Sequence, residues 1–165
     1  MTEPDDPELR NLPRRTGPPP VTTPSMPHQQ VSQNAPRELQ EELLRRGAAL
    51  LGVSIRPSRV SVPGARAFLL DHRLQRSGAT PDFLAGEFAH LHPPHDGSLH
   101  LGLAPEAARR VAEAGWAEPH PAATMAGMPG MVMVFGPRDA KELEIVWAIL
   151  QAAYLHARGA LAPKA

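Results

Sequence analysis

Apolar residues recur at the spacing of a single helix face in three stretches of the chain, near 36–51, 105–114 and 140–157. Proline stands at the start of the first two, at Pro36 and Pro105, where its fixed φ suits the first position of a helix. Charged residues fill the other positions of the first stretch, which is typical of a helix with one buried face. The pattern therefore predicts three amphipathic helices.

The last of these stretches has signals both at its start and along its length. Asp139 and Glu142 have the D-x-x-E spacing of a capping box, in which side chains bond the unpaired N–H groups of the first turn. Trp147 lies on the same helical stripe as the aliphatic residues. We therefore expect this helix to pack its stripe, including Trp147, against a sheet.

Short apolar segments between the helices have the length and the punctuation of strands. Those at 53–55, 60–62 and 67–70 are separated by prolines and a Pro-Gly pair, which favour turns. Residues 131–135 (MVMVF) are almost wholly apolar, as in a central strand. Residues 71–86 are polar and contain Gly and Pro, so we predict an inserted loop there.

Two alternating runs, 87–92 and 98–103, flank five residues of strong turn character and predict a β-hairpin. When those five residues close the hairpin, its leucines all fall on one face of the sheet. In that register His90 lies directly across from His100, and His92 lies two residues along on the same face. The sequence therefore places three imidazoles together, opposite the leucines.

The order of the predicted elements is a helix, several strands, a helix, a strand and a helix. We expect mostly antiparallel pairing with the helices packed on one face, which makes an α+β fold in two layers. The domain is expected to span residues 36–158. Residues 159–165 would follow it as a flexible C-terminal tail.

The first 35 residues differ in composition from the rest of the chain. Nine of the 20 prolines lie within residues 1–36, and apolar side chains are few there. Such a segment buries too little apolar surface to offset the entropy of ordering it. We therefore expect residues 1–35 to be a disordered, Pro-rich N-terminal tail that folding does not require.

Charge and cysteine content exclude several classes of function. The 17 basic and 17 acidic residues cancel, so a basic nucleic-acid-binding surface is not expected. The absence of cysteine excludes disulfides, thiolate metal sites and a thiol nucleophile. The first residues do not resemble a secretory signal, and no apolar run is long enough to span a bilayer. We expect a cytoplasmic protein with no membrane partner, for which the sequence identifies no protein partner.

The three hairpin histidines are open to three interpretations. They could form a polar, solvent-facing side of the sheet, or a metal-free site in which neutral imidazoles bind or deprotonate a small molecule near pH 7. They could also hold zinc, because His-x-His on one strand and a third histidine across from it leave a fourth position open to water. Iron would suit the same face if a carboxylate from Asp96 or Glu87 replaced one imidazole.

Three further residues are candidates for the same site. His120 stands between two prolines, which hold its backbone extended and rigid. Phe88 shares the predicted face of the hairpin histidines. Trp116 follows a glycine that stops the second helix, so it either stacks on a ligand or plugs the helix end. The candidate site thus comprises His90, His92 and His120 as catalytic residues and His100, Phe88 and Trp116 as ligand-binding residues.

The segments EFAHLHP, DGSLHLGLAPEAARRVAEAGWAEPHP and MVMVFGPRDAKELEIVWAILQAAY, in this order, resemble the luciferase-like domain family. This family includes many small bacterial proteins and is related to the fungal luciferases. The resemblance covers residues 53–157, and its main carriers are His90-x-His92 and Glu118-Pro119-His120. His100 departs from the family pattern, in which an acidic residue is common at that position.

The resemblance implies an oxygenase that needs no added cofactor. The fungal enzymes oxidise a hydroxylated styrylpyrone with molecular oxygen, so this chain would act on a small conjugated enol whose ring hydroxyl the catalytic histidines deprotonate. One alternative is a non-catalytic module of the same fold that binds a small molecule or a protein. Another is a metal-dependent enzyme that holds zinc or iron with His90, His92 and His100.

Overall fold

Six antiparallel strands form one sheet in the computed structural model, which describes residues 9–76 and 86–159. In chain order the strands are β1 Val53–Pro57, β2 Arg66–Leu70, β3 Glu87–Leu91, β4 Leu99–Gly102, β5 Ala117–Pro119 and β6 Met131–Val134. Their order across the sheet is β1-β2-β3-β4-β6-β5, with each neighbouring pair antiparallel. The predicted α+β class with a mostly antiparallel sheet is therefore confirmed.

Four helices accompany the sheet in the described part of the chain: α1 Arg37–Ala48, α2 Pro105–Glu113, α3 Pro121–Met125 and α4 Ala140–Arg158. The three predicted helices, α1, α2 and α4, share one apolar core with the leucines of β3 and β4. Helix α1 packs beside α4, and α4 lies against β3 and β4. The leucine face of the hairpin is thus covered by helices, which leaves its other face for polar side chains.

The prediction of a strand at residues 60–62 is wrong. These residues belong to the connection between β1 and β2, which Ser58 and Ala65 close through a backbone hydrogen bond. The N–H groups of Val60 and Ser61 donate to the Ser58 hydroxyl instead of to a neighbouring strand. Strand β5 and helix α3 were not predicted, because each is too short to show a periodic pattern. Residues 77–85 of the predicted inserted loop lie outside the described residues.

Trp147 packs against the core but is only half-buried, so it is less buried than the predicted apolar stripe implies. Val146, Ile149 and Leu150 occupy the core-facing side of α4 with no exposed surface. Trp147 lies at the edge of that stripe, where the guanidinium of Arg46 sits 5.9 Å from its ring centre. Its ring therefore packs between α1 and α4 at the edge of the core, and does not lie in its centre.

Residues 9–35, here called the N-terminal segment, are ordered against the domain, so the expectation of a disordered tail is wrong for them. Leu9 is buried in the apolar core. The backbone N–H of Arg15 donates to the carbonyl of Ala114, and Gly136 N–H donates to the side-chain oxygen of Gln30. Prolines lower the entropy that ordering costs, and polar contacts to the domain replace the missing apolar ones. Residues 1–8 lie outside the described residues.

Helix α4 ends at Arg158, and Gly159 caps it with a φ of 67°, a conformation that favours glycine. Residues 160–165 of the predicted C-terminal tail lie outside the described residues.

Within the described ranges, no helix combines the length and the apolar character that crossing a membrane requires.

Candidate functional site

The β3–β4 hairpin brings the three predicted histidines together in the predicted register. His90 pairs with His100 across the two strands, and their ring centroids are 5.1 Å apart. His92 follows β3 directly, and its ring centroid is 4.3 Å from that of His100. All three residues are buried, with 9%, 1% and 6% exposure for His90, His92 and His100. This face is therefore not the solvent-facing side of a sheet, because the N-terminal segment and the β1–β2 connection border it.

A β-bulge at the start of β3 alters the faces that simple alternation predicts. Strand β2 pairs two consecutive residues with Ala89 and Glu87, so Phe88 is an extra residue in the ladder. The Phe88 ring lies 5.8 Å from the ring of Tyr154 on α4, while Glu87 reaches His90. Phe88 therefore borders the cavity with its ring packed toward the core, on the side opposite to the one predicted.

Five side chains form one continuous hydrogen-bonded chain with a carboxylate at each end. His90 Nδ1 lies 3.2 Å from Glu87 Oε2, and His90 Nε2 lies 3.1 Å from His100 Nδ1. His100 Nε2 lies 3.2 Å from His28 Nδ1, and His28 Nε2 lies 2.6 Å from Glu118 Oε1. We call these five residues the histidine relay. His28 belongs to the N-terminal segment, so that segment supplies one of the relay's three imidazoles.

His92 has its own carboxylate partner beneath the hairpin turn. Its Nδ1 lies 3.1 Å from Asp96 Oδ2 and 3.0 Å from the Ser98 hydroxyl, which itself donates to Asp96 Oδ1 at 2.5 Å. Asp96 is fully buried and also accepts from the N–H groups of Ser98 and Gln30. With Nδ1–H directed at the carboxylate, Nε2 of a neutral His92 carries the lone pair.

His120 has the opposite tautomer. Its Nδ1 accepts a hydrogen bond from the backbone N–H of Ala122, because His120 is the N-cap of α3. A neutral imidazole that accepts at Nδ1 carries its proton at Nε2. Its ring centroid is 4.3 Å from that of His100 and 5.3 Å from that of His28. His120 thus presents an N–H donor at Nε2, whereas a neutral His92 presents a lone pair there.

Burial keeps most of these imidazoles neutral. Desolvation lowers the pKa of His90. Desolvation also lowers the pKa of His100, and repulsion between a charged His100 and the neighbouring imidazoles lowers it further. Desolvation and the same neighbours lower the pKa of His120 to about 4. At neutral pH these three rings are therefore bases and hydrogen-bonding groups, and not cations.

The carboxylates around the cluster are ionised. Burial raises the pKa of Glu87, Asp96 and Glu118, but hydrogen bonds outweigh burial and leave each pKa below its ordinary value. The strongest of these bonds come from His90 to Glu87, from His92 to Asp96 and from His28 to Glu118. The imidazoles are thus surrounded by three negative charges.

A cavity of about 490 Å³ opens beside the histidines, a size that suits a small organic molecule. His28, His90, His92, His100 and His120 all border it. Its other walls are largely apolar and come from the N-terminal segment, the β1–β2 connection and the region around α3: Met26, Pro27, Val60, Val62, Met128 and Met131. The cavity therefore has one polar wall, formed by the histidines, and other walls that are largely apolar.

Trp116 lies outside this cavity, so its predicted ligand-binding role is not supported by its position. Gly115 ends α2 with a φ of 88°, and the Trp116 ring turns into the apolar core. Its Nε1–H donates to the carbonyl of Pro13 at 2.7 Å. Trp116 therefore anchors the N-terminal segment. This buried position agrees better with the second predicted alternative, in which Trp116 covers the end of the helix, than with stacking on a ligand.

Sequence reasoning missed His28, Ser98 and the role of Glu118 as contributors to the site, and it misjudged Asp96. His28 lies in a segment that reads as a tail, so no periodic pattern marks it. Ser98 was seen only as the start of the second hairpin strand. Asp96 was considered as a direct iron ligand, whereas it supports His92 from behind. His95, in the same dense run of histidines, is exposed in the turn and does not border the cavity.

Among the described residues, two groups of three imidazoles have the spacing to hold a metal ion. In the first, His90, His92 and His100 each offer a nitrogen within 4.8 Å of the others. In the second, His28, His100 and His120 do so. The second group includes His120, whose Nδ1 is occupied by the Ala122 N–H and whose Nε2 carries a proton. The first group therefore has the better set of available lone pairs.

Comparison with known proteins identifies the relatives of this chain. The luciferase domain model matches residues 85–153, which include the hairpin, α2, α3 and most of α4. Luciferases of Armillaria gallica and Armillaria mellea are each 32% identical over 163 residues, which cover 87% of this chain and 60% of the relative.

A luciferase of Neonothopanus nambi is 37% identical over 70 residues, or 40% of this chain and 26% of that protein. This chain thus spans about three fifths of the length of the Armillaria proteins. No solved structure matches it significantly. The match includes the hairpin histidines, and residues 85–153 are therefore a luciferase-like domain.

Proposed function

We propose that this chain is an enzyme that oxidises a small, acidic, conjugated enol with molecular oxygen. The observation that supports this most directly is the buried Asp96–His92 pair at the wall of the cavity. A neutral imidazole backed by a carboxylate is well suited to take a proton near pH 7. The fungal relatives are named luciferases, which fits an oxidative reaction.

His92 is the base in this proposal. Its Nδ1–H donates to Asp96, so its Nε2 can accept the proton of the enol hydroxyl. The imidazolium that forms is stabilised by the ionised Asp96, which stays hydrogen-bonded to Ser98 and Gln30. Because Asp96 is fully buried, its charge acts on His92 with little screening by water.

His120 is the partner that stabilises the enolate. Its Nε2–H is a donor at the edge of the cavity, because its Nδ1 is held by the Ala122 N–H. A fixed donor of this kind stabilises the negative charge that develops on the enol oxygen. His92 is therefore the base because the Asp96 carboxylate accepts from its Nδ1, and His120 is the donor because the Ala122 N–H donates to its Nδ1.

The reaction then proceeds between the enolate and oxygen. The electron pair of the enolate forms a carbon–oxygen bond to O₂, which is reduced to a peroxide anion. The proton that His92 took from the hydroxyl moves to this peroxide, so atoms and charge balance. The methionine and valine wall holds the rest of the conjugated ring.

Oxygen uptake by the full chain tests this function, with hydroxylated styrylpyrones and flavonol-like enols as substrates and a chelator in the buffer. Asp96→Asn should lower the rate at saturating enol by about 10²–10⁴-fold, the usual contribution of a general base. His95→Ala, in the exposed turn, is the matched control and should leave the rate unchanged. Tight binding of an enol without uptake would instead indicate a binding module, and an absence of both would refute the proposal.

A further inference from the structure

The histidine relay needs one more proton than its members supply when its imidazoles are neutral. It contains four contacts between its five side chains, and each contact needs one proton. Both end groups are ionised carboxylates that only accept, and three neutral imidazoles carry one N–H each. The relay therefore requires one added cation, which can be a proton or a metal ion.

A metal ion between His90 Nε2 and His100 Nδ1 removes this requirement without moving the side chains far. His90 then donates from Nδ1 to Glu87, and His100 donates from Nε2 to His28. His28 donates from Nε2 to Glu118 in turn. Each imidazole is neutral in this arrangement, and each outer N–H has an acceptor, as is usual for histidines that bind metals.

His92 completes the set. Its Nδ1 faces Asp96, so its Nε2 lone pair is available to an ion that His90 and His100 hold. Two nitrogens bound to one tetrahedral zinc at 2.0–2.1 Å lie about 3.3 Å apart. His90 Nε2 and His100 Nδ1 are already 3.1 Å apart, and each of the three residues has one ring nitrogen within 4.8 Å of a ring nitrogen of the other two. Small rotations of the rings would bring all three to the required distances.

We propose that His90, His92 and His100 form a binding site for one divalent transition-metal ion such as zinc, and that a bound ion inhibits the proposed reaction. The fourth coordination position faces the cavity that the three residues border. The three carboxylates around the cluster, Glu87, Asp96 and Glu118, offset the charge of the ion. The site does not depend on the proposed reaction, but an ion on His92 Nε2 would occupy the proposed base, so zinc and enol would compete.

Titration with Co²⁺ tests the site, because tetrahedral Co²⁺ absorbs visible light strongly and occupies zinc sites. The full chain is purified without a polyhistidine tag, freed of metal with a chelator and then titrated. We expect one Co²⁺ per chain, displaced by one Zn²⁺. His92→Gln should remove the absorption, and Asp96→Asn should weaken binding by about 10–100-fold, as loss of an outer partner does.

Two variants serve as controls, and circular dichroism verifies that each protein is folded. His95→Ala and His120→Ala should both retain the absorption, the first because His95 is remote and the second because His120 offers no lone pair. Absence of a tetrahedral band, or an affinity for Co²⁺ that Asp96→Asn leaves unchanged, would overturn the proposal. If His120→Ala lost the band and His92→Gln kept it, the proposal would also be overturned. The ion would then bind the group formed by His28, His100 and His120. Oxygen uptake in the presence of chelator is a separate readout, so the two proposals can fail independently.

Discussion

At the scale of single residues, the partner of each outer imidazole nitrogen decides what the inner nitrogen can do. His92 and His120 both border the cavity, but a carboxylate faces Nδ1 of the first and a backbone N–H faces Nδ1 of the second. One is therefore left with an inner lone pair and the other with an inner proton. The chemistry of the site depends on this difference more than on the number of histidines.

Gly47 shows how one absent side chain positions α1 on the sheet. A Cβ at this position would lie 2.2 Å from the ring of Phe68, which is fully buried and cannot move aside. Helix propensity favours alanine over glycine by about 1 kcal/mol, whereas overpacking costs about 1–3 kcal/mol. We expect Gly47→Ala to lower the free energy of unfolding by up to about 2 kcal/mol, measured by urea denaturation.

The neighbouring Ala48 gives the control for this change, because it is exposed at the end of the same helix. Ala48→Gly should lower the free energy of unfolding by no more than about 1 kcal/mol, the cost in helix propensity. If Gly47→Ala stabilised the protein, α1 would have to lie farther from β2 than the structure shows.

At the scale of elements, the start of α4 joins a helix cap to the N-terminal segment. Asp139 Oδ1 accepts from the N–H of Glu142 at 2.8 Å, as the capping pattern predicts. The Glu142 carboxylate accepts from the N–H and the guanidinium of Arg138, and does not reach back to the cap residue. Arg138 in turn donates to the carbonyl of Thr16 at 2.8 Å. The first turn of α4 therefore also holds the N-terminal segment in place.

The pH dependence of stability should reveal this ion pair. Burial raises the pKa of Glu142, but the bonds from Arg138 outweigh it and lower the pKa overall. Its contribution to stability is therefore complete above the unfolded pKa of about 4.3 and is lost as pH falls through the lower folded pKa. Glu142→Gln should cost about 1–2 kcal/mol at pH 7, and this difference should shrink below about pH 4 in denaturation curves.

Glu144→Gln, on the same helix, is the matched control. Glu144 pairs with Arg46, but its side chain is 62% exposed, so its removal should cost less than about 1 kcal/mol at any pH. A cost of Glu142→Gln that does not change with pH would show that the carboxylate contributes by shape and not by charge.

At the scale of the whole molecule, the N-terminal segment makes the site a buried one. It supplies His28 to the relay and places Met26 and Pro27 on the cavity wall. Gln30 fastens it at two points, since its N–H donates to Asp96 and its side-chain oxygen accepts from Gly136. The low pKa values of His90, His100 and His120 and the enclosure of the cavity both depend on this cover.

A chain that begins at Pro36 tests this dependence. It loses the burial of Leu9, worth about 1.5–3 kcal/mol, and the hydrogen bonds of the Trp116 indole N–H and the Gly136 backbone N–H to the segment, worth about 0.5–1.5 kcal/mol each. We expect the melting temperature to fall by more than about 10 °C, measured by differential scanning calorimetry.

Val21→Ser and Val31→Ser are the controls for this truncation, since both side chains are more than half exposed within the same segment. They should change the melting temperature by no more than about 2 °C. An unchanged melting temperature in the shortened chain would mean that the segment contributes nothing to the stability of the domain.

The sequence by itself determined the features that arise from local periodicity. Helices α1, α2 and α4, the two hairpin strands and the pairing of His90 with His100 were all predictable, because spacing of 3.6 or 2 residues fixes which side chains share a face. The position of Glu87 and Phe88 was not, because the bulge in β3 interrupts the alternation on which the prediction relied.

Only the tertiary structure decided what surrounds those histidines. His28 is 72 residues from His100 and 90 from Glu118 along the chain, and Gln30 is 66 from Asp96, so no local pattern links them. The Pro-rich composition even favoured disorder, because it shows the lack of apolar groups but not the hydrogen bonds that the segment makes with the domain. Tautomers, burial and the charge around the site follow from these long-range contacts, whereas the sequence specifies only which groups are available to make them.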